Sequence, residues 1–589
     1  MQLMEQELKS HPSLEPQRRL ETGEASSLNR YVRRAAIGTA AGLIASIALV
    51  ATQPNRPLAI LLALALGALY GMVVRPAPLA YADSLFTAAA LAVAVWGVMS
   101  VIVLPALAGE PPRWDVEGVR AVFPEFAGWI LYGAILGLTT QAFADGVNRV
   151  MGPEALPRKP SAAQATSIVI LGGGFAGMTT AENLEREFGA DPSVTFTLVS
   201  DANALLFTPM LAEVAGSSLE PSHISTPLRT SLHRTAVVRG HVTHVDLETR
   251  CVRAASPHGG EDQEIPFHHL VFALGSVSNY FGNENIRNCS FDFKSLLDAI
   301  RIRNHVIDMF ECADRETDPA IKKEFLTIVI AGGGFAGVEL AGALNDFARG
   351  ILADYPHLRS EDVNVTLVHA RDLILPELSP TLGEYARRSM EARGVHFELG
   401  RRVMDARPGA VMLDNREIAA RTLVWTAGTA PNPLMRECGL KVDKRGAALV
   451  DKNLAIAGYK GVWALGDCAA VVDGKTQQPC PPTAQFALRE GRALARNIKA
   501  AIQGGKLQPF HFDSLGALCV VGHHTAAAEL NLPWPIRKSV RFSGLLAWFM
   551  WRGIYLSKLP GLERKVRVLI DWIIELFFPR DIVQTIDLK

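Results

Sequence analysis

The sequence contains the same glycine-rich pattern twice, each time after a short run of β-branched residues. Residues 167–184 read SIVILGGGFAGMTTAENL, and residues 327–344 read TIVIAGGGFAGVELAGAL. Each copy predicts a strand, a G-x-G-x-x-G turn and a helix, which is the pattern of a dinucleotide-binding βα unit. Two copies in matching context predict a chain built around two Rossmann-like α/β domains. A duplicated structural turn without a ligand is the less favoured alternative.

The residues of these turns suit a bound diphosphate. The first glycine allows a tight turn, the second admits the pyrophosphate against the backbone, and the third lets the helix pack on the strand. The diphosphate then faces the N-terminus of the helix, where free N–H groups and the helix dipole favour an anion. The candidate residues are Gly172, Gly174, Phe175, Ala176 and Gly177 in the first copy and Gly332, Gly334 and Gly337 in the second.

Four long segments before the first glycine-rich turn contain no Asp, Glu, Lys or Arg. They are residues 35–55, 57–74, 84–109 and 126–144. Each is close to the roughly 20 residues that a helix needs to cross a bilayer, and a segment in lipid must be helical to pair its backbone groups. We therefore predict four transmembrane helices. Buried helices of a soluble core are the weaker alternative, because four such segments follow one another closely.

Lys and Arg are distributed unequally around these segments. Those before the first and after the fourth segment are Lys9, Arg18, Arg19, Arg30, Arg33, Arg34, Arg149, Arg158 and Lys159. The first and third connecting loops hold only Arg56, Arg113 and Arg120. The positive-inside rule therefore places both ends of the block in the cytoplasm. The Pro- and Ala-rich stretch that follows predicts a linker.

Composition argues against two other classes of protein. The chain has 59 Lys and Arg against 59 Asp and Glu, so its formal net charge is zero. We therefore do not expect a nucleic-acid partner, which normally requires a basic excess or patch. The seven cysteines contain no C-x-x-C pair and no metal-ligand spacing. We expect free thiols in a reducing compartment and no metal centre.

Three further segments resemble parts of a large class of flavoproteins. Residues 461–469 read GVWALGDCA, a buried-type strand followed by Gly466 and Asp467. Residues 272–276 (FALGS) and 424–428 (VWTAG) resemble the strand ends of the same class, and they contain Gly275 and Gly428. With the two turns, this order resembles flavoproteins that carry two dinucleotide domains. The resemblance implies FAD on the first turn, a nicotinamide cofactor on the second, and contact of Asp467 with FAD.

Four further segments carry a more specific pattern: LLFTPMLAEVAG at 205–216, PPTAQFALREG at 481–491, FHFDSLGALCVVG at 510–522 and the segment 542–567. With these segments, the chain resembles the type II NADH:quinone oxidoreductases over residues 166–589. The resemblance implies that Phe207 and Pro209 pass beside the flavin, and that Ala484 and Gln485 lie near the quinone and the isoalloxazine ring. It implies hydride transfer from a reduced nicotinamide to FAD and two-electron reduction of a quinone, without proton pumping.

Glu339 is the clearest difference between the two copies of the pattern, because Thr179 occupies the matching position in the first. The resemblance implies that this carboxylate lies near the nicotinamide and the flavin. There it would position a ligand or relay a proton to the reduced quinone. The alternative is a structural carboxylate that stabilises the first turn of a helix through the helix dipole.

The positions that usually bind a ribose hydroxyl depart from the common pattern. An acid normally ends the second strand of each dinucleotide fold. The first fold offers Ser200 or Asp201 there, and the second offers His369 with Arg371 nearby. Asp201 could instead cap a loop. Arg371 could bind the 2′-phosphate of NADPH or be a solvated surface charge, so NADPH stays open beside NADH.

The last part of the chain has an amphipathic pattern. Residues 544–556 concentrate aromatic rings that favour the lipid–water interface, namely Trp548, Phe549, Trp551 and Tyr555. Residues 565–578 place Arg567, Asp571 and Glu575 on one helical stripe opposite apolar residues. This run is too short and too charged to span a bilayer, so we expect it to lie in the interface. Packing on the domain, or on a second subunit of a homodimer, is the alternative.

These inferences combine into one architecture of α/β class. We expect two Rossmann-like dinucleotide-binding domains, preceded by an all-α four-helix transmembrane block and followed by an amphipathic membrane-binding helical tail. The expected divisions are a cytoplasmic tail (1–34), four transmembrane helices (35–150), a linker (151–165), the FAD-binding domain (166–325 and 456–530), the NAD(P)H-binding domain (326–455) and a membrane-associated segment (531–589).

The expected location is the cell inner (cytoplasmic) membrane, with several spans and the catalytic part facing the cytoplasm. Two alternative functions stay open. One is a flavin oxidoreductase of sulfide or of a soluble acceptor, for which Cys289 and Cys480 are the candidate thiols. The other is a membrane-anchored redox sensor that binds nucleotide with little turnover.

Overall fold

The computed structural model describes residues 15–52, 55–74, 80–113, 116–151, 165–532 apart from 258 and 260, and 538–584. Residues 1–14 of the expected tail and nearly all of the expected linker lie outside the described residues. The chain divides into two compact units, residues 1–154 and 155–589. Each unit is described by itself below.

The first unit consists of long helices. They are Glu15–Thr52, Arg56–Val73, Tyr81–Val98 and Val116–Met151, and a π-helical turn Met99–Val103 and a short helix Leu104–Leu107 continue the third. Four segments are long and apolar enough to cross a membrane: Val32–Thr52, Arg56–Val73, Tyr81–Ala106 and Arg120–Val147. The four apolar helices expected from the charge-free segments are therefore confirmed.

Two glycine pairs hold the first two of these helices together. Gly38 and Gly42 of the first helix face Gly67 and Gly71 of the second. A Cβ atom at Gly38 would lie 2.1 Å from the carbonyl oxygen of Gly67, and one at Gly67 would lie 2.4 Å from that of Gly38. The two backbones therefore touch directly. Helices in lipid associate largely through such close packing, which explains why this part of the chain is rich in small residues.

A five-stranded parallel sheet carries the first glycine-rich turn. Its strands, in spatial order, are Val462–Ala464, His269–Phe272, Thr166–Leu171, Val194–Ser200 and Thr235–Arg239. The helix Phe175–Phe188 follows the central strand directly after the turn. The edge strand Val462–Ala464 lies far along the chain, so the polypeptide returns to this sheet after forming the second one.

A second five-stranded parallel sheet carries the second glycine-rich turn. Its strands, in spatial order, are Phe291–Asp292, Thr422–Trp425, Thr327–Ala331, Asn364–His369 and Val395–Leu399. The helix Phe335–Gly350 follows its central strand. The edge strand Phe291–Asp292 precedes residue 326, where we placed the domain boundary, so this sheet also uses the preceding segment.

Shorter elements complete the two domains. Antiparallel strands form pairs or triplets at Ala204–Leu206 and Ser225–Pro227, at His241–Asp246, Cys251–Ala255 and Gln263–Pro266, at Ser276–Ser278 and Thr429–Pro431, and at Val403–Arg407, Ala410–Leu413 and Glu417–Ala419. Ala448–Leu449 and Ala469–Ala470 form a parallel pair. The further α-helices are Leu211–Ala215, Leu228–Ser231, Glu284–Cys289, Leu296–Arg315, Pro319–Phe325, Pro380–Glu391, Leu434–Glu437 and Ala484–Gln503.

The C-terminal segment forms an antiparallel sheet followed by two helices. The strands are Gly516–Gly522, Thr525–Asn531 and Ser539–Ser543, and the helices are Gly544–Lys558 and Leu562–Phe577. In the last helix two charges of the stripe face the protein: Asp571 lies 2.6 Å from His223, and Glu575 lies 2.9 Å from Arg552 and 3.1 Å from Arg580. The third, Arg567, is exposed and pairs with Glu563 of the same helix. The apolar stripe is exposed instead: Leu569, Ile570, Ile573, Ile574 and Phe577.

Two aromatic residues of this segment contradict the sequence-based expectation. Trp548 and Trp551 were expected at the lipid–water interface, but they are only 5% and 1% exposed. The Arg552 guanidinium lies 3.9 Å from the centre of the Trp548 ring, a cation–π contact. These rings therefore form part of the protein interior, and they line a cavity rather than a membrane surface.

Candidate functional site

The first glycine-rich turn has the geometry that a dinucleotide requires. Gly172 has a φ of +107°, and a Cβ atom at Gly177 would lie 1.9 Å from the carbonyl oxygen of Gly172. Both positions therefore require glycine for the turn itself. A Cβ atom at Gly174 would instead meet no atom within 4 Å. This glycine leaves open space at the N-terminus of the helix, where a pyrophosphate fits.

The second turn repeats that geometry closely. Gly332 has a φ of +119°, and a Cβ atom at Gly337 would lie 1.9 Å from the carbonyl oxygen of Gly332. A Cβ atom at Gly334 would also meet no atom within 4 Å. The chain thus offers two equivalent anion cradles, one on each parallel sheet.

Ser200 and Asp201, the two candidates for a ribose contact in the first domain, have different surroundings. Ser200 is 7% exposed and lies against the turn, because a Cβ atom at Gly173 would be 2.5 Å from its Oγ. Asp201 is exposed, and its Oδ1 lies 3.2 Å from Nδ1 of His241. Ser200 therefore lies beside the turn, whereas Asp201 contacts a neighbouring surface residue.

His369 ends the corresponding strand of the second domain and contacts the glycine-rich turn. The backbone N–H of Gly333 donates a hydrogen bond of 3.1 Å to its Nδ1. Burial, and secondarily the charge of Arg371, lower the pKa of His369, so the ring is neutral at pH 7. Nε2 then carries the hydrogen, and it is buried without a partner among the described residues. It is thus a buried donor that no described residue uses. Arg371 is exposed.

Asp467 lies in a polar cluster at the strand that returns to the first domain. Its Oδ2 accepts a hydrogen bond of 2.9 Å from Ser276 Oγ, and Lys294 Nζ donates to Ser276 Oγ at 2.8 Å. Burial raises the pKa of Asp467, against the effects of Ser276 and Lys294. Gly275 in the adjoining loop has a φ of +67° and open space at its Cβ position. This cluster has the polar groups and the room that the ribityl part of a flavin needs.

Glu490 is a member of this cluster that the sequence analysis missed. It accepts a hydrogen bond of 2.7 Å from the backbone N–H of Gly466 and is 2% exposed. Burial raises its pKa to about 7, although the hydrogen bond from Gly466 opposes this. The signal was present in the matched segment PPTAQFALREG, where Glu490 shares a helix face with Phe486 and Ala487, and a carboxylate on such an apolar face calls for a polar partner.

Ala484 and Gln485 begin the helix Ala484–Gln503. Gln485 Nε2 donates hydrogen bonds to the carbonyl oxygen of Gly516 at 3.1 Å and to Ser514 Oγ at 3.3 Å. The side chain thereby connects this helix to the C-terminal sheet. Its amide oxygen has no hydrogen bond to the described residues, which leaves an acceptor at the helix N-terminus.

Three aromatic rings connect the first turn to the C-terminal helices. The ring centres of Phe175 and Phe207 are 5.8 Å apart, and those of Phe207 and Tyr555 are 6.1 Å apart. Phe207 is buried.

Gly428, at the end of the matching strand in the second domain, lies under the exposed ring of Phe281. The Cζ atom of that ring would be 2.9 Å from a Cβ atom at Gly428. Phe281 was also missed.

Glu339 lines a cavity between the segment 209–218, the helix Phe335–Gly350 and the C-terminal segment. Its Oε1 accepts a hydrogen bond of 3.3 Å from the backbone N–H of Val520. Burial raises the pKa of Glu339 to about 8; the Val520 hydrogen bond opposes this, and the charge of Glu213 adds to it. Glu339 is the fifth residue of its helix, which has no acid in its first turn. The alternative role in stabilising the first turn is therefore wrong.

The same cavity is lined by charged residues that the sequence analysis did not assign to a site. They are Glu213, Asp346, Arg552, Glu575 and Arg580. Pro209, which was expected beside the flavin, and Trp551 also line this cavity. Arg552 and Arg580 flank Glu575 at 2.9 and 3.1 Å, and together they lower its pKa although burial acts to raise it. These residues come from segments far apart in the chain, so only the fold brings them together.

The cysteines give little support to thiol chemistry. Burial raises the pKa of Cys480 to about 12, so its thiol stays protonated at neutral pH. All seven cysteines are free. Within the described part of the chain, no three His, Cys, Asp or Glu side chains are grouped in a way that could hold a metal ion.

The chain has an anion cradle on each of two parallel sheets, and it returns to the first sheet through the strand Val462–Ala464. This arrangement defines the class of flavin-dependent oxidoreductases with two dinucleotide sites. Sequence comparison agrees: the Pyridine nucleotide-disulphide oxidoreductase family model matches residues 166–491, and the NDH2 C-terminal domain model matches residues 515–581. The chain belongs to the type II NADH:quinone oxidoreductase family. The predicted family and its flavin-dependent oxidoreductase class are thus confirmed.

Individual relatives support the same assignment. The Type II NADH:quinone oxidoreductase Ndh of Mycobacterium tuberculosis is 31% identical over 421 residues, which are 69% of this chain and 87% of that protein. An external alternative NADH-ubiquinone oxidoreductase of Yarrowia lipolytica mitochondria is 28% identical over 492 residues, or 73% of this chain and 82% of that protein. The structure of NDH2 from Plasmodium falciparum in complex with NADH has a TM-score of 0.64 at 18% identity and covers 71% of this chain and 99% of that one. This last likeness concerns the fold alone.

Proposed function

We propose that this protein is a membrane-bound enzyme that oxidises NADH, or NADPH, and reduces a quinone without pumping protons. The observation that carries the proposal is the pair of matched cradles together with the Glu339 cavity. The cradles fit two dinucleotides, and the cavity lies where the helix after the second cradle meets the C-terminal segment. Proximity of the two reacting molecules and exclusion of water are then what the protein contributes.

FAD would be held by the first turn, by Ser200 and by the cluster around Gly275, Gly466 and Asp467. When bound, FAD supplies hydride acceptance and two-electron donation, which no side chain can supply. Phe207, Phe175 and Pro209 form an apolar wall beside this site. The buried Asp467 and Glu490 provide hydrogen-bonding groups along the polar part of the cofactor.

The nicotinamide nucleotide would be held by Gly332, Gly334, Gly337, His369 and Gly428. The free Nε2–H of His369 can donate to a ribose hydroxyl or to a phosphate oxygen, so it accepts both NADH and NADPH. Arg371 is exposed beside it and would add affinity for a 2′-phosphate. We propose NADH as the donor and NADPH as a second one.

The quinone would enter beside Ala484 and Gln485 and be reduced near Glu339. Glu339 is protonated at neutral pH, which suits a group that donates a hydrogen bond or a proton to the quinone oxygen. Gln485 is oriented by its hydrogen bonds to Gly516 and Ser514 of the C-terminal segment. The proposed quinone site therefore needs that segment.

Membrane attachment would come from two places. The four apolar helices would cross the cytoplasmic membrane with both ends inside the cell, and the catalytic unit would then lie in the cytoplasm. The exposed apolar stripe of the last helix would lie in the interface, and its inward-facing charges favour this over simple packing on the domain. A homodimer through the same stripe is the other possible arrangement. We retain the domain divisions given above, with the edge strand at 291–292 added to the nucleotide domain.

The direct test is the reduction of flavin by different donors. Purified, FAD-loaded protein is mixed anaerobically with NADH, NADPH or sulfide, and flavin absorbance is followed. We expect fast bleaching with NADH and slower bleaching with NADPH. Fast bleaching by sulfide that is lost in Cys480→Ser would instead support the sulfide alternative. Bleaching by NADH without any turnover on quinone would support the sensor.

A further inference from the structure

The Glu339 cavity contains four carboxylates, and they fall into two kinds. Glu575 is held between Arg552 and Arg580, and Asp346 lies 3.6 Å from Arg393 and accepts a hydrogen bond of 2.6 Å from the backbone N–H of His523. The negative charges of Glu575 and Asp346 are therefore balanced by neighbouring arginines. Among the residues that the structure describes, neither Glu213 nor Glu339 lies within salt-bridge distance of Arg or Lys.

The segments that carry these two glutamates are fixed to each other. Arg580 donates hydrogen bonds to the carbonyl oxygen of Gly216 at 3.0 Å and to that of Ala343 at 3.2 Å. A Cβ atom at Gly216 would lie 2.9 Å from the same oxygen of Ala343. The helix Leu211–Ala215 and the helix Phe335–Gly350 are thus held in direct contact, and Glu213 and Glu339 line one cavity between them.

Among the described residues, one side chain donates a hydrogen bond to Glu213, which leaves its other carboxyl oxygen available. Trp572 Nε1 donates to its Oε2 at 3.2 Å. Burial raises the pKa of Glu213 to about 7, against the charges of Arg552 and Arg580 and with that of Glu575. Cys519 and Tyr555 also lie within electrostatic range of Glu339. Burial thus lets both glutamates hold a proton near neutral pH, whereas the two guanidinium groups keep Glu575 ionised.

The proposed reaction needs one proton from water in each cycle. NADH supplies two electrons and one hydrogen nucleus, so that NADH, a quinone and one proton give NAD⁺ and a quinol. A group at the quinone that donates this proton must then regain it from outside. We propose that Glu213 is the relay residue that returns a proton to Glu339 after each quinone reduction. The inference rests on the proposed function, and Glu213 acts through Glu339 rather than on the quinone itself.

The relay works as an exchange within the carboxyl pair. The O–H bond of protonated Glu339 breaks as the new O–H bond of the quinol forms, and Glu339 is left as a carboxylate. The proton of Glu213 then moves to Glu339, through cavity water where needed, and Glu213 is reprotonated from the solvent side. When both glutamates are ionised, their negative charges repel, so each raises the proton affinity of the other and the ionised pair recaptures a proton from the solvent side.

The test compares Glu213→Gln with Glu213→Asp in the FAD-loaded, full-length protein. Glu213→Gln keeps an acceptor for Trp572 but cannot titrate, and we expect it to lower the quinone-reduction rate by about tenfold. The alkaline limb of the pH–rate profile of this variant should also move to lower pH, because the charge of Glu213 no longer raises the pKa of Glu339. Glu213→Asp should restore most of the rate and the original limb. The exposed Glu248→Gln serves as the control and should match the parent protein.

A second readout does not depend on activity. Infrared titration of the FAD-loaded protein without substrates should show protonated carboxyl signals of Glu213, Glu339 and Glu490 that disappear between neutral and alkaline pH. Glu213→Gln should lose one of these signals, keep that of Glu490 unchanged and move that of Glu339 to a lower midpoint. An unchanged pH profile and an unchanged infrared titration in Glu213→Gln would overturn the relay. Failure of the parent protein to reduce quinone at all would instead overturn the proposed function.

Discussion

Glu339 Oε1 accepts a hydrogen bond of 3.3 Å from the backbone N–H of Val520. This contact joins the helix after the second glycine-rich turn to the C-terminal sheet. It places a carboxyl that is protonated at neutral pH at the meeting point of the nucleotide domain and the segment proposed to admit quinone. The enzyme is therefore expected to depend on this one side chain for quinone reduction rather than for nucleotide binding.

Glu339→Gln should lower the quinone-reduction rate by tenfold or more while flavin reduction by NADH changes little, because Gln cannot donate a proton. It should also change the pH dependence of stability. The native pKa of Glu339, about 8, exceeds that of an unfolded Glu, so its contribution to stability falls as pH rises between those values. Melting temperatures measured at acidic and alkaline pH should differ less in the variant. An equal pH dependence in both proteins would contradict the assigned pKa.

Gln485→Ala should weaken quinone binding. The variant loses two hydrogen bonds that orient the N-terminus of its helix against Ser514 and Gly516, and each bond contributes about 1 kcal/mol. We expect the KM for quinone to rise by about threefold to tenfold. FAD content and the KM for NADH should stay the same. A rise in the KM for NADH alone would mean that Gln485 serves the NADH site and would contradict its assignment to the quinone site.

Gly174→Val and Gly334→Val form a matched pair that tests the two cradles. Both backbones are extended, with φ of −76° and −79°, and the Cβ positions are open, so folding should tolerate either change. Gly174→Val should yield protein without FAD, and Gly334→Val should keep FAD but lose reduction by NADH. Flavin absorbance and a melting curve distinguish these outcomes. Loss of FAD in Gly334→Val would mean that the cradles are assigned in the wrong order.

Arg371→Ala and His369→Glu should change the choice of nucleotide in the same direction. The first removes a positive charge beside the ribose, and the second introduces a carboxylate that repels a 2′-phosphate and binds a 2′-hydroxyl. The NADH-to-NADPH ratio of kcat/KM should rise in each variant, more strongly in His369→Glu. If Arg371→Ala leaves that ratio unchanged, Arg371 is only a surface charge.

The exposed stripe of the last helix can be tested with substrates of different chain length. Ile573 and Ile574 are 47% and 49% exposed, and replacing both by Glu places charges where lipid contact is proposed. In liposomes, the KM for a long-chain quinone should rise severalfold while that for a soluble short-chain quinone stays constant. Leu449→Glu, at an exposed position of another domain, is the control. Conversion of a dimer to a monomer by the double change, with unaltered quinone kinetics, would favour the dimer alternative.

Local patterns in the sequence were sufficient for the parts of the fold that depend on local physics. Glycine at Gly172 and Gly332 is required by positive φ, and the charge-free segments follow directly from the cost of charge in lipid. These features predict two cradles and four helices without any knowledge of packing. The resemblance to the family then supplied the order of the domains and pointed to Glu339.

The remaining features depend on contacts between distant segments. Trp548 and Trp551 look like interfacial residues in the sequence, because nothing local reveals that Arg552 packs on one ring and that both line a cavity. Glu213 and Arg580 are separated by much of the chain and meet only in the folded protein. The inward charged stripe of the last helix could also not be predicted, since an amphipathic pattern does not state which side faces the protein.

The most direct test of the central proposal is the stoichiometry of the full reaction in proteoliposomes. The full-length protein is reconstituted with a long-chain quinone, and NADH consumption, quinol formation and internal pH are followed together. We predict one quinol formed for each NADH oxidised, with no proton transport across the bilayer. NADH oxidation without quinol formation, or quinol formation coupled to a pH gradient, would contradict the proposal.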